Sequence, residues 1–429
     1  MRIGLALGLA AWIVAAVLLW RTSVPSLRLG GLDPHQYFAP RLLARAHRYG
    51  NGEGLLWLLG ELATLLALGV LAWRLPRTAR SVGLGRVGSA IVIGMVVVVA
   101  LWFVRLPFTI ATLWWQHHYG LGPFDPFSWF GAQWALLSSQ AIAALAAIGL
   151  TVALAVRFPR AWWIPGGVVF VALATLLAFV AGWLGAAGAH RLDTAALRAD
   201  AARIQAAEQV HPPIRVTKVS DWTDEPNAFT AGFGPSTHVV LWDTLLDGRF
   251  SRGEIDVVMA HELGHSRSRH ILKGIGWYAL FVFPAGLLVA AVTRRRGGLR
   301  NPANLPLAIL VLTMFGLVAT PFQNAVSRRY EAEADWRALV ATKDPAAARR
   351  LFVRFVPTTL EEPDPPGWDY AFLENHPTIA QRLAMVREFS RSDSSGAHGL
   401  QRRRSPHVLM VGADERRLRS ALRLLGGLR

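Results

Sequence analysis

Ser251-Arg-Gly-Glu254-Ile-Asp-Val-Val-Met-Ala-His261-Glu262-Leu-Gly-His265 is followed, after a short basic stretch, by the apolar run Gly274 to Val292. Ser251 with Glu254 three residues on is a capping-box pattern, and Ile255, Val257, Val258 and Met259 lead apolar from it, so the stretch reads as a helix. On a helix, residues i and i+4 project from one face, which lets His261 and His265 grip one metal ion with Glu262 between them. Neutral imidazoles suit zinc, three protein ligands leave a fourth position for water, and Glu262 is placed to take that water's proton. Two surface histidines on an ordinary helix are the plainer alternative. Gly264 costs a helix interior about 1 kcal/mol relative to Ala, so a packing or access reason is expected there.

Outward from this stretch, the chain is dominated by apolar runs. A membrane helix needs about 20 residues to cross a hydrocarbon core of roughly 30 Å. Seven segments qualify: Ile3 to Trp20, Gly54 to Trp73, Val87 to Val104, Ala132 to Val156, Trp162 to Gly185, Gly274 to Val292 and Ala303 to Pro321. The first follows Arg2 and ends in Leu-Leu-Trp-Arg without a small-residue cleavage site, so it reads as an uncleaved span. Glu61 lies inside the second, either facing a protein interior or reaching the interface. With 53% hydrophobic residues and a mean hydropathy of +0.33, the composition places the chain in the membrane class.

The formal charge of +17 is almost all arginine, since Lys218, Lys273 and Lys343 are the only lysines. Much of it flanks the apolar runs, as expected for helix ends facing anionic lipid. No basic patch interleaved with aromatic residues accompanies it, so nucleic acid is not an expected partner. There is no cysteine. Disulfides and thiolate metal sites are therefore excluded, and any metal must be held by His, Asp or Glu.

Between the fifth and sixth spans lies a polar stretch from His190 to Lys273. Asp193 to Glu208 reads as a helix, and Ile214 to Val219 and His238 to Trp242 as short strands, together a small α+β unit. A third metal ligand is sought after the seventh span, where the chain reads Asn324-Ala-Val-Ser327-Arg328-Arg329-Tyr330-Glu331-Ala-Glu333-Ala-Asp335. On a helix Glu331 and Asp335 share a face, one as a ligand and one as an acceptor for a ligand imidazole, while Glu333 points away. The alternative is a helix whose acids only balance Arg328 and Arg329. From Ser390 the composition turns to Ser, Gly, His and Arg, read as a flexible linker with a short basic helix from Asp414 to Leu425.

The order of five spans, HExxH, two spans and SRxxExxAD resembles the type I CAAX prenyl proteases and their bacterial relatives. Leu106-Pro107-Phe108 through His118-Tyr119-Gly120, Asp224-Glu-Pro-Asn227-Ala228-Phe229 through Gly232, and Asn375-His376-Pro377 through Arg382-Leu383 are similar to further elements of that family. The resemblance implies that His261, His265 and Glu331 bind one zinc ion per chain, that Glu262 is the general base and that Asp335 orients a zinc-bound histidine. It implies that His376 steadies the oxyanion, with an N-terminal helix cap beside Pro377 as the alternative. Asn227 would meet a substrate lying extended along an edge strand, or be a plain turn residue. Arg328 and Arg382 fit a buried charge or a solvated helix face about equally.

The expected architecture is mainly α: a seven-span integral membrane protein with a small α+β zinc metallopeptidase unit. The expected organisation is an N-terminal span and polar loop (1–53), membrane helices (54–189), a metallopeptidase domain with two further membrane helices at 274–321 (190–390), and a basic flexible C-terminal tail (391–429). The expected partners are a peptide or membrane-protein substrate and the lipid bilayer, in the cell membrane. The expected function is hydrolysis of membrane-associated or hydrophobic, including CAAX-type, peptides. A quality-control protease of the HtpX type is the second reading. A zinc-dependent sensor or transporter is the third, disfavoured because a structural site has no use for Glu262 between its ligands. Arginines after spans two, four and six place those loops in the cytoplasm, whereas the resemblance implies a cytosol-facing site in the eukaryotic enzymes.

Overall fold

Each long apolar run is a helix in the computed structural model, which describes residues 2–25, 29, 31–78, 84–122, 126–221 and 223–394. The long helices are α1 (Arg2–Trp20), α2 (Pro40–Thr78), α3 (Gly85–His118), α4 (Pro126–Arg157), α5 (Trp163–Gly185), α8 (His270–Thr293) and α9 (Leu305–Thr342). Among the described residues six helices are long and apolar enough to cross a membrane, and Gly8–Trp20 within α1 is a shorter apolar helix. The chain is accordingly an integral membrane protein, with six such helices and a short one where seven spans were expected. Large apolar side chains left exposed on these helices, such as Leu66 at 70% and Val318 at 81%, are what a hydrocarbon solvent accepts. Several helices outrun the apolar segments that announce them. α9 has 38 residues, about 57 Å at 1.5 Å per residue, and passes through Pro321 without a break.

The described residues divide into two compact units. One takes those within Asn51–Leu173 and Tyr278–Ala319, all helix and connecting turns. It holds two buried clusters, around Leu68, Ile93 and Val97 and around Ala155, Trp162 and Val289. Glu61 of α2 does not stand alone there. It pairs with Arg105 of α3, whose Nε donates to Thr64 Oγ1 at 3.0 Å, so the two charges neutralise each other within the apolar segments.

The other unit takes the described residues within Met1–Gly50, Ala174–Trp277 and Thr320–Arg429. It contains the short strands β1 (His190–Arg191), β2 (Ile214–Thr217), β3 (Ala228–Ala231) and β4 (His238–Trp242), in the order β1-β2-β4-β3. β2 and β4 are parallel, the other pairs antiparallel, and β3 is an edge strand in register Ala228↔Leu241 to Ala231↔His238. The two strands read from β-branched residues are β2 and β4. β1 and β3 are short and carry no such signature. Helices α6 (Ala195–Glu208), α7 (Arg252–Arg267), α10 (Pro345–Thr359), α11 (Gly367–Phe372) and α12 (Ile379–Ser394) complete the unit.

One hydrophobic cluster, including Ile204, Leu241, Met259, Leu263, Leu339, Phe352 and Phe389, joins the sheet to α6, α7, the end of α9, α10 and α12. The basic tail beyond Ser394, with the helix expected at Asp414 to Leu425, lies outside the described residues.

Candidate metal centre

Helix α7 starts where its capping pattern puts it. The Ser251 backbone N–H and hydroxyl both donate to Glu254 Oε2, at 2.7 and 2.6 Å, and Arg354 pairs with the other Glu254 oxygen. Ten residues on, Gly264 shows why it is glycine. A Cβ there would come within 3.3 to 3.4 Å of the backbone of Ala334 and of Arg337 Cβ on α9. The two helices therefore approach closely at this point, and the close approach sets the distances between the residues that flank it.

His261 Nε2 and His265 Nε2 lie 3.0 Å apart, and Glu331 Oε2 is 3.2 Å from the first and 3.5 Å from the second. The three ligand atoms lie within 4.8 Å of one another. A tetrahedral ion bound at about 2.0–2.1 Å separates its ligand atoms by about 3.3 Å, so this spacing fits zinc. Glu331 Oε2 is buried and faces only the Nε2 atoms of His261, His265 and His376, at 3.2 to 3.5 Å and with no hydrogen bond formed among the described residues, a costly state for a carboxylate that a bound cation would relieve. The donor set of two imidazoles and one carboxylate belongs to the same chemistry.

Asp335 Oδ1 lies 2.9 Å from His261 Nδ1, and Arg382 Nε lies 3.0 Å from Asp335 Oδ2. Accepting the Nδ1 proton, the carboxylate leaves His261 Nε2 free for a metal. Arg382 is buried against the Phe352 ring at 5.1 Å. Arg328 is buried too, its guanidinium donating to the carbonyls of Tyr370 and Glu374. Neither lies on a solvated helix face. Glu333 points away from the ligands, as its spacing on α9 requires, yet it is buried. Its partners are Ser23, Lys273 and His270, none of which the sequence pattern singles out.

Glu262 is buried next to β3, where Thr230 Oγ1 sits 2.7 Å from its carbonyl oxygen and 2.9 Å from its Oε2. A cavity of about 370 Å³ opens beside it and is lined by His261, Glu262, Asn227 and His376. His376 is half-exposed, with Nε2 3.4 Å from Glu331 Oε2 and Nδ1 2.6 Å from Asn375 Oδ1. Exposed Asn227 immediately precedes β3, its Oδ1 accepting from the next backbone N–H at 2.8 Å. The seven residues named from sequence thus gather in one place: five around the ligand cluster, with His376 and Asn227 on the cavity wall.

The same cavity is bounded by Val257, Val258, Leu351 and Phe355 and by the carboxyls of Glu361 and Glu374. Burial, together with the neighbouring carboxylates of Glu361 and Asp369, pushes Glu374 up to about 8. A carboxyl raised in the folded state holds a proton that the unfolded chain has released. Stability is therefore highest below the ordinary carboxyl range and falls as the pH climbs from about 4.5 towards 8. Glu374→Gln keeps the protonated shape. Discounted for the water that reaches the side chain, it should stabilise the protein by about 1–3 kcal/mol at pH 8.5 and by little at pH 5. Thermal unfolding in detergent at the two pH values checks this, and equal shifts at both would contradict it.

The profile of peptidase family M48 matches residues 192–390. The uncharacterized metalloprotease YhfN of Bacillus subtilis is 34% identical over 176 residues, 38% of this chain and 41% of that protein. A protease HtpX homolog of Acidiphilium cryptum is 30% identical over 268 residues, 54% of this chain and 92% of that protein. The crystal structure of S. mikatae Ste24p superposes with a TM-score of 0.68 at 16% identity, covering 89% of this chain and 97% of that one, which establishes the shared fold. The chain therefore spans less than half the length of the first of these relatives and nearly all of the second.

Proposed function

This chain belongs to peptidase family M48, and from that premise we propose that it is a membrane-embedded zinc endopeptidase acting on membrane-associated or hydrophobic peptides. The reading places one zinc ion per chain on His261, His265 and Glu331. What carries it is the convergence of those three ligand atoms on one point, beside the buried Glu262 and an open cavity. Zinc held there would supply Lewis acidity, acidifying water and polarising the carbonyl under attack.

The remaining steps belong to the protein. Glu262, held by Thr230, accepts the proton of the attacking water and passes it to the leaving amine. Asp335, backed by Arg382, keeps His261 in the tautomer that ligates. His376 presents Nε2–H towards the carbonyl oxygen that becomes an oxyanion, which requires the Asn375 amide to turn so that its nitrogen donates to Nδ1. The free edge of β3 pairs with the substrate main chain, and Asn227 stands at the start of that edge. The apolar wall formed by Val257, Val258 and Phe355 suits an apolar substrate side chain.

Quality control of membrane proteins is the second reading of the same chemistry. The match to a protease HtpX homolog along 92% of its length favours it. A sensor or transporter would leave Glu262 and its Thr230 contact without a purpose.

The test is cleavage of a quenched hydrophobic peptide library by the detergent-purified protein, with and without a zinc chelator, beside an unfolded membrane protein. Chelator-sensitive cleavage supports the proposal, and the preferred substrate separates the two readings. Stoichiometric zinc without cleavage of anything would overturn it. His376→Ala should keep its zinc and lose about 10²- to 10³-fold in kcat, with little change in KM.

A further inference from the structure

The two histidine ligands are supported differently. Asp335 reaches His261 directly, but the atom beside His265 is another imidazole: His270 Nδ1 lies 2.9 Å from His265 Nδ1. His270 is buried, stacked on Tyr330 at 4.5 Å and 8°. On its far side Nε2 lies 3.0 Å from Glu333 Oε2. Glu333 is held in turn by the segment that follows α1. Its Oε1 accepts from both the backbone N–H and the hydroxyl of Ser23, at 2.6 Å each, and Lys273 Nζ stands 3.4 Å from Oε2. Neighbouring bonds pin that segment further: Tyr330 donates to Leu19 O, Arg329 to Trp20 O and Lys273 to Arg21 O.

The arrangement allows one distribution of protons. If His265 binds zinc through Nε2, its remaining proton is on Nδ1, pointing at His270. His270 Nδ1 must then be an acceptor, so its own proton is on Nε2, where Glu333 Oε2 receives it. We propose that His270 is a positioning residue for the metal ligand His265, and that Glu333, clamped by Ser23, fixes the tautomer in which His270 does so. The inference rests on the reading of His265 as a zinc ligand. It makes the N-terminal segment part of the support of the metal centre, some 240 residues away along the chain from the ligand it serves.

The discriminating variant is nearly isosteric. Ser23 offers two donors, so in Glu333→Gln the amide oxygen stays with Ser23 and the amide nitrogen turns to His270. His270 would then have to accept at Nε2 and carry its proton on Nδ1, directly against the Nδ1–H of His265. Zinc affinity of the full-length, detergent-purified protein, read by chelator competition, should fall about 10- to 100-fold in Glu333→Gln and in His270→Phe. His270→Gln, which keeps an acceptor and a donor, should recover part of the loss. Cobalt-substituted protein should show a shifted d–d spectrum in the first two variants. The zinc-free proteins should unfold within a few degrees of wild type.

Wild-type affinity with an unchanged cobalt spectrum in Glu333→Gln would overturn the proposal, whether or not His270→Phe folds. Failure of the wild type itself to bind zinc, or retention of zinc by His265→Ala, would instead sink the ligand assignment beneath it.

Discussion

Glu262→Gln should bind zinc as the wild type does and lose about 10³- to 10⁴-fold in kcat, with KM nearly unchanged. The substitution preserves volume and leaves His261, His265 and Glu331 untouched. The buried position beside β3 is kept, because Thr230 can still donate to an amide oxygen where it now meets Oε2 at 2.9 Å. What disappears is the proposed proton acceptor, and general bases contribute up to about 10⁴-fold. An interaction made only in the transition state appears in kcat and kcat/KM alike. Metal analysis and peptide cleavage on one preparation decide the matter. Residual activity above a tenth of wild type would show that another group takes the proton.

Glu331→Ala should remove the metal. The carboxylate is the one anionic member of the proposed ligand set, and Ala would leave two imidazoles 3.0 Å apart on one helix with an open position opposite. One ligand of a protein zinc site carries roughly a quarter to a third of about 10–16 kcal/mol, so affinity should weaken by about 10²- to 10⁴-fold. Zinc content after dialysis against a weak chelator should fall from one equivalent to nearly none, and cleavage with it. Full zinc retention would reassign the third ligand. The two variants part on the metal: both are inactive, and only one is empty.

Much of this centre was legible in sequence because its members lie at helical spacings. Ser251 and Glu254 mark the start of α7, and four-residue intervals then join His261 to His265 and Glu331 to Asp335. The residues that escaped depend on backbone breaks or long-range packing. His270 follows His265 by five positions, which on a continuous helix would turn it about 140° away. It faces His265 because α7 ends at Arg267 and Arg269 adopts a left-handed φ of 54° before α8 begins. Nothing in Ser-Arg-Ser-Arg-His announces that break. Ser23 meets Glu333 across 310 residues, a contact no local pattern encodes.

Arg382 was visible as part of a motif, but its burial with Asp335 depends on how α12 packs. Strand β3, Ala-Phe-Thr-Ala, has two strand-favouring residues, Phe229 and Thr230, but is too short and too flanked by alanine to be read alone, and it is held by its partner β4. The spans were read from apolar length alone. The polar start of α2 was not, nor was the continuity by which the seventh span and the helix bearing Glu331 and Asp335 form the single α9.

The position of β3 at the rim of its sheet, paired on one side only among the described residues, has a bearing on which proteins such an enzyme could attack. A bare rim recognises the peptide backbone itself, and it can do so only where that backbone has donors and acceptors to spare. A helix sunk in lipid has none, because every N–H and C=O is already satisfied within it. Destruction would therefore wait on the victim's own unravelling. The choice among membrane proteins would be made by how often each one comes undone, and only then by the residues it displays.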